Sequence, residues 1–175
     1  MSLRTLKAMI AGLVITVSSM ANAGVMYTVD SGWADFSWSG GVETTTDQGG
    51  FTFDLLTDGV LTVTDAYAFG DEFEIWINSA FNSNTSDVLA YDSLHVGGDA
   101  DLAIASGFSH GSVFLSAGSY DVDFTLFQDG VDQFDNPYLG GGAFFKVETA
   151  TIPEPSTLAI FALAIMGLAS RKFKK

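Results

Sequence analysis

From residue 25 to residue 149 apolar and polar side chains alternate with a period of two, and no run keeps the 3.6-residue period of a helix. In residues 119–128, Tyr120, Val122, Phe124 and Leu126 leave one side while Asp121, Asp123 and Thr125 leave the other, as extended backbone requires. That gives a strand with one core face and one wet face; Phe127 breaks the wet face and implies a second contact near the strand's end. Residues 73–77 alternate alike, with Phe73, Ile75 and Ile77 inward and Glu72, Glu74 and Trp76 outward. Further strands are expected over 51–56, 60–64, 112–115 and 143–148, with a weaker pattern over 88–91. Asp58-Gly59 and Ala117-Gly118 read as hairpin turns, which makes neighbouring strands antiparallel. Gly97-Gly98, residues 129–137 and Gly140-Gly141-Gly142 read as loops. The expected fold is all-β: a single antiparallel β-sandwich of jelly-roll type over residues 24–150. There is no cysteine, so its stability must come from an apolar core rather than disulfides.

The two ends of the chain obey different rules. In residues 1–23, Arg4 and Lys7 precede an apolar stretch and Ala21-Asn22-Ala23 supplies a small-residue cleavage site. This is the pattern of a secretory signal peptide cut after Ala23 by signal peptidase; an uncleaved N-terminal anchor is the alternative. At the other end, Pro153-Glu154-Pro155 can continue neither a helix nor a sheet ladder, because each proline lacks an N–H and fixes its own φ. Residues 158–169 behind it are free of charge, and four of the last five residues are cations. A transmembrane helix is expected over 157–170, since a helix satisfies its own backbone groups in lipid, with the basic end on the cytoplasmic side. Its 14 residues reach about 21 Å, against roughly 30 Å of hydrocarbon. Snorkelling of Arg171 and Lys172 and local thinning of the bilayer meet the difference. The alternative, a buried core helix, calls for a polar stripe that this run lacks.

Proline pair, apolar run and basic end, in that order, resemble the PEP-CTERM sorting signal of exopolysaccharide-producing Gram-negative bacteria. The resemblance covers residues 151–175 alone. It implies that this chain is a substrate of exosortase, a transpeptidase-like membrane enzyme, recognised at Pro153, Glu154 and Pro155. It implies further a transient stay in the inner membrane, then the cell surface or extracellular matrix. Residues 61–73, 108–112, 115–120 and 141–145 are also similar to segments of exported domains that carry this tail. That second resemblance supports the sandwich and implies no chemistry.

Six of the seven basic residues lie in the two ends, leaving Lys146 against all 21 acids in residues 24–155, a net charge of −20. Such a surface repels the phosphates of nucleic acid and of anionic lipid, so nucleic-acid binding is excluded. Any Ser-His-Asp hydrolase must use His95 or His110, the two histidines present, and no Gly-x-Ser-x-Gly elbow marks a nucleophile. A glycosidase needs two carboxylates facing each other across a cleft, whereas Glu72 with Glu74, and Asp121 with Asp123, each share one face of a strand and read as solvated. No catalytic residue and no enzymatic activity is expected.

Calcium is the ligand that the loop 129–136 suits best, because it takes six to eight oxygens from carboxylates and carbonyls. Asp129, Asp132 and Asp135 are its candidate ligands, with Asp99 and Asp101 as a second possibility; the spacing is not that of an EF-hand. No other cofactor is expected. Tyr27, Trp33, Phe36 and Trp38 form either core or an exposed aromatic patch, and the two-residue spacing of Phe36 and Trp38 favours core. The expected role is structural or adhesive in an exopolysaccharide matrix. The alternative is a carbohydrate-binding module, calcium-dependent or not, that meets matrix polysaccharide through Trp33 or Trp76.

Overall fold

The computed structural model describes residues 24–150. The expected signal peptide with Ala21 and Ala23, the Pro153-Glu154-Pro155 motif and the expected helix over 157–170 lie outside the described residues. Alternating stretches become strands: β1 (Val25–Met26), β2 (Ala34–Trp38), β3 (Phe51–Leu55), β4 (Gly59–Asp65), β5 (Glu72–Ile77), β6 (Ala80–Asn84), β7 (His110–Leu115), β8 (Gly118–Gln128) and β9 (Gly141–Thr149), with one helix, α1 (Ala100–Ala105), before β7. They form two sheets, of order β1-β3-β8-β5-β6 and β2-β9-β4-β7. Every pair within a sheet is antiparallel except β1 beside β3. The described chain is thus a two-layer all-β sandwich.

The longest alternating stretch forms the longest strand. In β8, Val122, Phe124 and Leu126 are buried, as the pattern requires. The two inner faces meet around Phe36, whose ring centroid lies 4.5 Å from Phe124, 5.3 Å from Phe73 and 6.4 Å from Phe145. Trp38, Phe51 and Tyr27 extend this aromatic core, so the two-residue spacing of Phe36 and Trp38 does mark a core face. Burying a side chain of this size is worth about 1.5–3 kcal/mol. A second, smaller cluster lies on the outer face of β9, where Ala66, Ala100, Ala103 and Phe108 pack with Phe144 and Trp33.

Several expectations need correcting. Neither Asp58-Gly59 nor Ala117-Gly118 is a hairpin, because β3 and β8 lie in one sheet and β4 and β7 in the other. Both turns carry the chain from one sheet to the other. Asp58 joins them: its carboxylate accepts the Ala117 N–H at 3.0 Å. Short punctuation between alternating runs is common to hairpins and to such arches, so residue type alone did not separate them. Among the described strands the one two-residue hairpin lies between β5 and β6, where Asn78 and Ser79 both have φ above zero, the geometry of a twist-matched tight turn.

Residues 88–91 form no strand; instead the Val88 N–H donates to Glu72 at 2.8 Å. Glu72, expected to face water, is buried, because a register shift between Glu72 and Phe73 turns it inward. Phe127 makes no second core contact and is 52% exposed. Gly141 and Gly142 belong to β9 rather than to a loop. Helix α1 is too short for its period to be read against the surrounding alternation; Asp99 caps it by accepting the Leu102 N–H at 2.9 Å. No helix among the described residues is long and apolar enough to cross a membrane.

Candidate functional site

Strand β9 runs from one end of the sandwich to the other, and its nine residues span roughly 30 Å. The end that leads to the tail is clamped. Asp30, held at φ 62°, accepts the Thr149 N–H at 2.8 Å and its hydroxyl at 3.0 Å. The Asp30 N–H in turn donates to the Val147 carbonyl at 2.9 Å, and the Ala150 N–H donates to the Asp58 carbonyl at 2.8 Å. The fold therefore grips the chain through Ala150, three residues before Pro153.

The opposite end holds a depression of about 440 Å³ between β2 and the start of β9 on one side and the loops after β4 and β8 on the other. Tyr67, Tyr138 and His95 form its walls, and Asp35, Asp71 and Gly142 line the rest. A Cβ at Gly142 would sit 3.2 Å from the Tyr67 ring; glycine there lets the ring lie on the strand, where it packs against Phe144 with centroids 5.7 Å apart. Gly70, at φ 125°, lets the chain turn sharply into Asp71.

Behind the depression three carboxylates from separate segments approach each other. Asp71 accepts the Gly130 N–H at 2.7 Å. Burial, opposed by that hydrogen bond and assisted by the charge of Asp129, raises its pKa from an ordinary 3.8 to about 6. Asp65 is wholly buried and accepts the Tyr67 N–H at 3.4 Å. Its pKa is raised to about 8, first by burial and then by the charge of Asp71. Asp65 Oδ2 and Asp129 Oδ1 are buried without a hydrogen-bond partner. The one cation of the described residues is engaged elsewhere: Lys146 Nζ lies 2.9 Å from Glu148 and 4.8 Å from the centre of the Trp33 ring.

The three loop aspartates expected to ligate calcium face different neighbours. Asp132 Oδ1 accepts the N–H groups of Phe134 and Asn136 and the Asn136 amide, and these donors, the Asn136 side chain first, hold its pKa below the ordinary value. Asp129 turns inward, its Oδ2 accepting the Val42 N–H at 3.2 Å, and Asp135 is exposed at φ 63°. Among the described residues no three His, Cys, Asp or Glu side chains are arranged to hold a metal ion. Asp99 is engaged as the helix cap, and Asp101 accepts the Trp33 indole N–H at 3.2 Å.

The remaining polar candidates are engaged in the fold. Ser109 donates within the buried interior, to Ser86 O at 2.7 Å, with Thr85 Oγ1 2.6 Å away. His110 Nδ1 lies 2.8 Å from the Phe108 carbonyl. Asp123 accepts the Thr46 hydroxyl at 2.7 Å. Glu74 accepts the Trp76 indole N–H at 3.0 Å, and the Trp76 ring meets Phe81 edge-on at 5.8 Å. Tyr67, Asp71, Asp35 and Tyr138 were not singled out from the sequence. The triple glycine before Ala143 points at most to Tyr138 beside it, and nothing in the sequence marks the other three.

The PEP-CTERM protein-sorting motif matches residues 151–175. The chain thus bears the sorting signal of an exosortase substrate, which implies export and processing at the membrane of a Gram-negative bacterium. No curated protein and no solved structure matches the chain.

Proposed function

We propose that the chain is a non-enzymatic exported protein whose N-terminal signal peptide is removed after Ala23. In this reading the segment 157–170 spans the inner membrane until exosortase acts at Pro153-Glu154-Pro155. The freed acidic domain then serves at the cell surface or in an exopolysaccharide matrix, in a structural or adhesive role. One observation carries this: the sorting motif at residues 151–175 follows directly on Ala150, whose N–H donates to Asp58 of the sandwich. The strand order β2-β9-β4-β7 against β3-β8-β5-β6, with β1 added at the edge beside β3, supports the jelly-roll form, two packed sheets that bury a shared core. Export is tested by deleting residues 158–175. The domain should no longer be retained at the inner membrane or reach the cell surface; surface localisation unchanged by the deletion would refute the reading.

A second reading, carbohydrate binding, is favoured by the tyrosine-walled depression at the end of the sandwich away from the tail. Trp33 is a poorer candidate than the sequence suggests, because Lys146 covers one face of its ring and Asp101 takes its N–H.

A further inference from the structure

The depression has the size of a small-ligand site, within the usual range of roughly 300–1,000 Å³. Its lining is mixed in a particular way. Tyr67 and Tyr138, each 39% exposed, offer flat apolar surface with a polar tip, the combination that stacks on the apolar face of a pyranose ring while leaving its hydroxyls free. Bare backbone at Gly141 and Gly142 lets a ligand approach the strand closely. Tyr67 is already held against Phe144, so little ordering cost falls on binding.

Charge narrows the ligand class. Asp71 is buried and opens on the depression, Asp35 stands on its rim, and Asp65 and Asp129 lie behind. Two oxygens of this group, one on the wholly buried Asp65, have no partner in the protein. The sole lysine of the described residues is bound to Glu148. A uronate, sulfate or phosphate would meet only like charge, whereas an ammonium would balance carboxylates that burial has placed in a medium of low dielectric. A larger depression of about 640 Å³ beside β1 and β3 is also lined by tyrosines and by Asp54 and Asp121, but there the Tyr27 and Tyr120 hydroxyls are taken by the Gly32 and Ser116 carbonyls at 2.6 and 2.7 Å, and Asp54 accepts the Ser119 hydroxyl at 2.6 Å.

We propose that this depression binds an amino sugar with a free ammonium group, as a residue of a cationic polysaccharide, with the ammonium at Asp71 and the sugar ring against Tyr138 and Tyr67. This rests on the carbohydrate-binding reading and names its site and ligand class. The test is calorimetry on the full chain in neutral detergent with three probes: a glucosamine hexamer, an N-acetylglucosamine hexamer and hexalysine. The glucosamine hexamer should bind at least tenfold tighter than the other two. Asp71→Asn and, separately, Tyr138→Ala should each weaken it tenfold or more with no fall in melting temperature, while Trp76→Ala, outside the depression, should leave it alone. Equal binding of both sugars, hexalysine binding as tightly, or full affinity in Tyr138→Ala would overturn the assignment. Loss on Trp76→Ala alone would overturn it too, moving the site to the Trp76–Phe81 shelf and leaving carbohydrate binding itself intact. Absence of binding to either sugar would reject both.

Discussion

At the tail end of the sandwich the carboxylates are consumed by the chain, and at the far end only one oxygen of each is. Asp30 and Asp58 accept N–H groups from Thr149 and Ala117, closing the strands where the sorting tail departs. Asp65 and Asp129 each keep a buried oxygen without a partner, beside Asp71. The same residue type is an anchor in one place and a buried acid short of partners in the other. What separates the two is burial and the supply of backbone donors, since a carboxylate is comfortable when N–H groups meet it and costly when apolar neighbours do.

The most damaging change is one that breaks the strand joining the two ends. Phe145→Ala in β9 removes a ring in contact with Tyr27, Phe36, Phe51 and Phe124. It should cost about 3–5 kcal/mol, visible in chemical denaturation. A loss near zero would mean that the aromatic core does not hold the ends together.

Acidity separates the ends next. In the folded chain Asp65 and Asp71 keep protons that the unfolded chain releases above its ordinary 3.8. Between that pH and about 8 the folded state binds more protons, so stability falls as pH rises through this window and is greatest on its acid side. Asp65→Asn mimics the protonated acid. It should leave the melting temperature near pH 3 unchanged and raise it increasingly above that, by on the order of 5 °C or more near pH 9. A parallel pH profile for the two proteins would show that Asp65 is not the group responsible.

At the tail end the effect is smaller and local. Asp30→Ala removes two hydrogen bonds from Thr149, worth about 1–2 kcal/mol in all. Hydrogen exchange of the Thr149 and Ala150 amides should quicken roughly tenfold while Gly142 and Ala143 stay protected. Acceleration along the whole of β9 would mean that the clamp and the far end are coupled. Smallest of all is calcium, because Asp132 is already occupied by the loop's own donors. Millimolar calcium should shift the melting temperature by less than about 1 °C; a rise of several degrees, lost in Asp129→Asn, would restore a metal to this region.

Much of the layering was legible because alternation is a local property. Val122, Phe124 and Leu126 face the core in β8, as do Phe36 and Trp38 in β2, and the spacing alone says so. Pairing was not legible. Which sheet a strand joins is decided by contacts far along the chain, so Asp58-Gly59 looked like a hairpin and is an arch. The depression was hidden for the same reason. Asp35, His95, Tyr138 and Gly142 come from segments separate from the loop that carries Tyr67 and Asp71, and no spacing in the sequence links those segments. The sorting motif is the opposite case, legible because its parts lie side by side.

The most direct test is the intact mass of the protein taken from the surface of the cell that makes it. Expected is a chain that begins at Gly24 and ends at or near Pro153-Glu154-Pro155, without the apolar run and basic end. A surface form that still ends at Lys175 would contradict processing at the motif.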